Sequence, residues 1–395
     1  MRSTSTPGSE LRPSTDAERL PRGGIRAIAE IARRNDDVID LVLGEPDFPT
    51  PAHVADAGIA AVRAGRTRYA PGRGVPELRE AAARSLARRS GASVSSEEIT
   101  VTAGGVQGLF GALAVLAERG ASVLVPDPGW PNYIAQCQIL GLHPVRYPLD
   151  AARDFAPDLE RLERLAVEHR PRALLLNSPA NPTGALLAPE VVSACVELAR
   201  RHQLWIISDE VYDQIVFDGV HAYLRALAPE RTVSVYSCSK TYAMTGWRVG
   251  YAWAAPEIAA LIGKVLELEA SCAAMPSQVA AAAALDGPQA CVEQMRTAYA
   301  ERRDLAVRLL RETGLFASCP RGAFYVMVDV SGHTADTVAL ATDLAARPAG
   351  VACAPGEAFG PGGRGLLRVS LAAAPEAIAE GIRRIACAVG AARTS

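Results

Sequence analysis

The stretch "TVSVYSCSKTYAMTGWRVGY", residues 232–251, starts as a short run of strand formers and stops at small polar residues and a lysine. Val, Tyr and Thr in such a run, closed by serines, read as a strand that gives way to a loop. The lysine is unusual in this chain: of 41 basic residues only Lys240 and Lys264 are lysine. A guanidinium stays protonated, whereas a lysine amine loses its proton once desolvated or set near other cations and can then attack a carbonyl. An amine at residue 240 therefore has a chemical reading that an arginine there would not have.

Working outward, the same rhythm recurs. "RALLLNSPANPTG" (172–184) and "LWIISDEVYD" (204–213) are apolar runs that end in polar residues, with the helical "PEVVSACVELARRH" between them. Upstream, "PELREAAARSLARR" (76–89) reads as helix, "EEITVTAGG" (97–105) as a strand into a turn, "VQGLFGALAVLAERG" (106–120) as helix and "ASVLVPDPGW" (121–130) as strand. Continuous apolar strands alternating with helices define an α/β fold with a buried, mostly parallel sheet. In such sheets ligands bind at the carboxyl ends of the strands, which would bring Gly104, Gly105, Asn181, Asp209 and Lys240 to one edge. After residue 285 a long Arg-rich helical stretch leads to "RGAFYVMVDV", "GVACAPGEAFG" and "GLLRVSL". The expected division is an N-terminal arm (1–24), a large domain (51–285) and a smaller α+β domain (25–50 with 286–395).

Composition narrows the function. The 395 residues are 49% apolar, enough for a sizeable core, and the formal net charge of -2 with scattered arginines gives no nucleic-acid footprint. Eight cysteines without a C-x-x-C and six histidines without an H-x-x-x-H signal neither a disulfide framework nor a metal site. A polar first 24 residues and the lack of a long apolar run point to a cytoplasmic protein with no membrane partner. Lys264, in "EIAALIGKVLELEA", reads as an exposed helix charge.

Ser237, Ser239 and Arg248 surround Lys240 with anion-binding groups, a set that an aldehyde bearing a phosphate would satisfy. The motif "SCSKTYAMTGWRVG" resembles the pyridoxal-phosphate lysine motif of the fold-type I, class I and II aminotransferases, nearest the aspartate/aromatic branch. The resemblance runs from about residue 20 to 390, through "LVLGEPDFPTP", "TRYAPGRGVPELREA", "NSPANPTG", "SDEVYD", "RGAFYVMVDV" and "LLRVSL". It implies a seven-stranded-type sheet, pyridoxal 5'-phosphate as cofactor, and transfer of an amino group from an L-amino acid to a 2-oxo acid by a ping-pong cycle. Lys240 is then the catalytic amine that forms a Schiff base with the cofactor.

The remaining roles follow from the same resemblance, each with a physical reason. Gly104, Gly105 and Val106 open a helix, where unpaired N–H groups favour phosphate; Ser237, Ser239 and Arg248 complete that cup. Trp130 supplies a flat apolar face for the ring. Asp209 pairs with the ring nitrogen and keeps it protonated, which makes the ring an electron sink. Asn181 and Tyr212 donate to the ring's phenolic oxygen. Arg368 offers a planar fork to the substrate α-carboxylate, with Gly44, Trp130 and Asn181 beside it. Tyr69 reaches the cofactor phosphate of a neighbouring subunit, which implies a homodimer.

Side-chain selectivity is less legible. Relatives acting on aspartate often carry a second cation, either a lysine after the Gly-Gly pair or an arginine in the segment matching 265–280. Here the first position is Val106 and the segment has no arginine. Strict dicarboxylate specificity is therefore not expected unless Arg22 or Arg26 substitutes. A lyase or synthase on the same fold is the alternative; a scaffold kept only for binding, as in some transcription regulators, is a further one.

Overall fold

The computed structural model describes residues 14–390 except 19, 21–23, 36 and 347–349. Its centre is a seven-stranded sheet. In chain order the strands are β1 (Ile99–Thr102), β2 (Ser122–Asp127), β3 (His143–Pro148), β4 (Ala173–Asn177), β5 (Trp205–Asp209), β6 (Thr232–Ser237) and β7 (Gly250–Trp253). They lie in the order β1-β7-β6-β5-β4-β2-β3, parallel throughout β6, β5, β4, β2 and β3, with β7 antiparallel to both its neighbours. Every residue of β4 is buried, because helices cover both faces; this is why its sequence is a continuous apolar run without alternation.

Register places chemistry at the sheet's edge. Asn177 pairs with Asp209, and Asp209 pairs with Val235, two residues before Ser237. The ends of β4 and β5 are thus level, β6 runs two residues further, and the loops that leave them converge. β7 packs back against this corner at Gly250, where an added Cβ would stand 2.6 Å from the Tyr236 carbonyl oxygen and 3.1 Å from Gly105 N. Only a residue without a side chain lets the strand lie so close to the Gly104-Gly105 turn.

A second, three-stranded antiparallel sheet holds β8 (Tyr325–Asp329), β9 (Ala354–Pro355) and β10 (Leu366–Ser370), in the order β9-β10-β8. Its core gathers Leu41, Val42, Leu310, Phe324, Val326, Val369, Ile382 and Ile385, so residues near 40 pack with the C-terminal third. Tyr212 and Ile215 also join that core, tying it to the loop after β5. Separate clusters flank the seven-stranded sheet, one around Leu109, Leu113 and Val125 and another around Leu124, Leu174 and Leu198. Truncating any of these fully buried leucines to alanine costs roughly 2–5 kcal/mol.

The helix expected over 76–89 spans Pro76–Ser90. The strand expected within 97–105 is shorter, Ile99–Thr102, because Ser96–Glu98 forms a 3-10 turn capped by Ser95 and the helix starts at Gly105. "GVACAPGEAFG" yields only two-residue strands and a 3-10 turn. Lys264 is exposed on the helix Pro256–Ala270. Most of the 1–24 arm lies outside the described residues. No described helix is long and apolar enough to cross a membrane, and no described group of His, Cys, Asp and Glu could hold a metal ion.

Candidate active site

Where the two sheets meet, a cavity of about 490 Å³ is lined by every candidate site residue named above except Gly104 and Tyr69. Gly44, Gly105, Val106, Trp130, Asn181, Asp209, Tyr212, Ser237, Ser239, Lys240, Arg248 and Arg368 all face it. Gly104 lies just behind, as the residue that caps the helix Gly105–Leu116. Tyr69 is 87% exposed on this chain and contributes nothing to its own cavity.

β6 delivers the lysine. Its last residue, Ser237, accepts a hydrogen bond on Oγ from the Ser239 N–H at 3.1 Å and so caps the turn Cys238–Thr241. That turn aims Lys240 into the cavity, where Nζ donates to the Gly44 carbonyl oxygen at 2.6 Å. Burial pushes the Lys240 ammonium down to about 8, opposed by Glu45 and Asp209 and assisted by Arg248 and Arg368. A usable fraction of free amine is therefore present near neutral pH.

Asp209 ends β5 and is 3% exposed. Its Oδ2 accepts from the Tyr133 hydroxyl at 2.6 Å and its Oδ1 from the Val211 N–H at 3.3 Å. Burial pushes this carboxyl up to about 6; the Glu210 charge adds to the rise, while Tyr133, Val211 N–H and Lys240 oppose it. No described basic side chain forms an ion pair with it. Tyr133 follows Trp130 by three residues, and their rings meet edge to face with centroids 5.6 Å apart.

Opposite the amine, the helix Gly105–Leu116 points its N-terminus at the cavity. Gly104 has φ 81°, and a Cβ there would stand 2.6 Å from an Arg248 terminal nitrogen; glycine keeps the helix end open beside the guanidinium. Arg248 is held by the carbonyl oxygens of Thr245 (2.9 Å) and Ala103 (3.3 Å).

The last wall comes from the second sheet. Arg368, at 3% exposure on β10, donates to Asn181 Oδ1 at 2.8 Å and to the Val42 carbonyl oxygen at 2.5 Å. Its guanidinium carbon lies 4.3 Å from the Tyr325 ring centroid and 4.8 Å from that of Phe359, and its Nε has no partner among the described residues. Tyr212 and Tyr325 share a hydroxyl–hydroxyl bond of 2.8 Å.

Sequence reading missed Tyr133, Tyr325, Glu45 and Thr245, which line the cavity, as does Arg26, the substitute cation named from the sequence. Glu45 accepts from the Thr245 hydroxyl. The spacing of Tyr133 from Trp130 was the one available signal for any of them. Arg22 lies outside the described residues.

An amine of lowered pKa, a buried carboxylate, a helix N-terminus beside an arginine and a second, buried arginine in one cleft are the groups that an amino-acid-converting enzyme needs. The chain belongs to the class I and II aminotransferases, whose family model matches residues 36–385. It is 39% identical to the aspartate/prephenate aminotransferase of Thermus thermophilus, over 91% of this chain and 93% of that one. It is 38% identical to an arginine–pyruvate transaminase of Pseudomonas aeruginosa, over 91% and 92% of the two chains. The solved structure of the Thermus thermophilus aspartate aminotransferase with maleate superposes with a TM-score of 0.91 at 36% identity, covering 96% of this chain and all of that one. The chain is an aminotransferase, moving an amino group from an amino acid to a 2-oxo acid, on a fold-type I scaffold. These names leave the lyase alternative without support, and membership of the family implies use of pyridoxal phosphate.

Proposed function

We propose that the cavity holds pyridoxal 5'-phosphate on Lys240 and that the substrate carboxylate docks on Arg368. The observation that carries this reading is the convergence of Lys240, Asp209, Arg248 and Arg368 from four separate chain segments on one cleft. The residues fit the cofactor by a further test. Asp209 is buried with a phenol and a backbone N–H as its only donors among the described residues, so its charge has no cation in direct contact there, and a protonated ring nitrogen is such a cation.

The chemistry supplied by the bound cofactor is an aldehyde for amines and a ring that draws electron density from the substrate Cα. Gly104, Gly105, Val106, Ser237, Ser239 and Arg248 would hold its phosphate, Trp130 its ring face, and Asn181 and Tyr212 its phenolic oxygen. Asp209 holds no proton at neutral pH in this state, since the facing cation stabilises its anion. Lys240, once its amine is free, takes the proton from the substrate Cα and later returns it. Arg368 fixes the carboxylate, with Gly44 beside it, and so sets which bond at Cα faces Lys240. The neighbouring cations keep that amine unprotonated often enough to act as a base.

Side-chain selectivity in this reading is broader than dicarboxylates. Val106 places an apolar group where a cation would be needed, although Arg26 lines the cavity without a hydrogen-bond or ion-pair partner among the described residues. Residues 25–50 with 286–395 form the small domain, 51–285 the large one. The working form is a cytoplasmic homodimer in which the exposed Tyr69 reaches the partner's cofactor phosphate.

The test is spectroscopic. Purified protein mixed with pyridoxal phosphate should turn yellow, and borohydride followed by peptide mapping should find the label on Lys240. Single half-reactions with a panel of amino acids should then bleach the band without any added oxo acid. A colourless protein, or a label on Lys264 alone, would refute the assignment.

A further inference from the structure

Tyr325 stands between two parts of the site and touches both. Its hydroxyl lies 2.8 Å from that of Tyr212, and its ring faces the Arg368 guanidinium at 4.3 Å. Its side chain is 1% exposed, and its ring packs against Phe324, with centroids 5.0 Å apart. Tyr325 pairs with Ser370 in the register of β8 and β10, two residues from Arg368. The position is therefore set by backbone pairing rather than by a mobile loop. Gly44 leaves room for it, since a Cβ there would land on the Tyr325 hydroxyl.

We propose that Tyr325 is a positioning residue that orients the Tyr212 hydroxyl toward the cofactor's phenolic oxygen and supports Arg368 for the substrate carboxylate. The inference rests on the reading that Tyr212 donates to that oxygen. A phenol has one hydrogen. If Tyr212 gives it to the cofactor, the 2.8 Å contact requires Tyr325 to be the donor and Tyr212 the acceptor. Accepting that bond polarises the Tyr212 hydroxyl and makes it the stronger donor, as chains of hydrogen bonds do in a dry interior. The ring acts separately. Tyr325 and Phe359 contact the Arg368 guanidinium at 4.3 and 4.8 Å, and contact with aromatic faces restrains the plane of the fork that must meet a carboxylate.

The two functions separate by substitution. A donor to the phenolic oxygen lowers the pH at which the visible band of the loaded protein changes, because it stabilises that oxygen's anion. Y212F, Y325F, Y325L and Y212F/Y325F would each be loaded with pyridoxal phosphate and titrated by absorbance, with the amino donor KM and kcat measured alongside. Y212F should raise the midpoint by about one pH unit or more, and Y325F by about half a unit, with the donor KM within roughly twofold of the parent. Y325L, which also loses the ring, should raise the midpoint similarly and the donor KM by about tenfold. The double variant should match Y212F alone, because the hydroxyl of Tyr325 acts only through Tyr212. A Y325F midpoint at the parent value while Y212F shifts would overturn the proposal. So would a double variant shifted well beyond Y212F. If Y212F itself leaves the midpoint unmoved, the assignment of Tyr212 fails and the proposal falls with it.

Discussion

Asp209 and Glu210 are neighbours at the end of β5, both buried, and they point to opposite faces of the strand. On the cavity face, Asp209 has two donors and a carboxyl pushed up to about 6, by burial above all. On the back face, Glu210 accepts from Ser234 Oγ and Tyr236 OH, both at 2.8 Å, and lies 3.0 Å from His221 Nε2. Burial alone would raise the Glu210 carboxyl, but the bond and charge of His221 and the bond from Tyr236 outweigh it and hold it below the usual range. Two adjacent acids thus receive opposite treatment. A carboxylate kept for structure is satisfied by the chain itself, and one kept for a ligand is left short of partners.

That contrast predicts which substitutions damage chemistry and which damage the fold. The largest effect should come from Lys240→Ala on the cavity side: turnover falls by about 10⁴-fold or more, while the melting temperature of the cofactor-free protein does not drop. Asp209→Asn comes next, with kcat/KM down by roughly 10²–10³-fold. Its stability effect has the opposite sign from an ordinary loss. With the folded carboxyl at about 6 against 3.8 unfolded, the folded protein binds the extra proton between those values. This group therefore destabilises the cofactor-free protein as pH rises through that window. At pH 8 the asparagine variant should be more stable by about 3 kcal/mol in urea unfolding, a gain that vanishes below pH 4. Equal stability of parent and variant at pH 8 would show that Asp209 is not strained.

Glu210→Ala should behave as the mirror image, losing about 3 kcal/mol because His221, Ser234 and Tyr236 are left unpaired in the interior. The KM for the amino donor should hardly change in the protein that remains folded. The smallest effect concerns pH. The rate at which the cofactor-free protein takes up pyridoxal phosphate should climb between pH 7 and 9 and level off, by about tenfold in all, following an amine at about 8. A rate still rising past pH 10 would mean an ordinary lysine.

The same asymmetry explains how far the sequence could be read. Lys240, Asp209, Asn181 and the Gly104-Gly105 turn sit at strand ends or a helix start, where a few consecutive residues determine both geometry and chemistry. The register of β4, β5 and β6 then assembles them without further information. Tyr133 and Tyr325 carry no comparable local mark. Each becomes part of the site only through a contact across the fold, to Asp209 in one case and to Tyr212 and Arg368 in the other. Glu45 was passed over for a similar reason, since a charged residue near the start of the chain reads as solvated until the second sheet folds beside it. The antiparallel run of β7 was also illegible as such, because Gly250 reveals its purpose only against Tyr236 and Gly105.

The scarcity of lysine has a practical side. Among side chains, an amine-selective reagent meets only Lys264, exposed on its helix, and Lys240, half-buried in the cleft. Coupling through Lys264 would anchor every molecule to a surface in one orientation, leaving the other lysine as an internal reporter whose protection from labelling registers whether the cleft is filled.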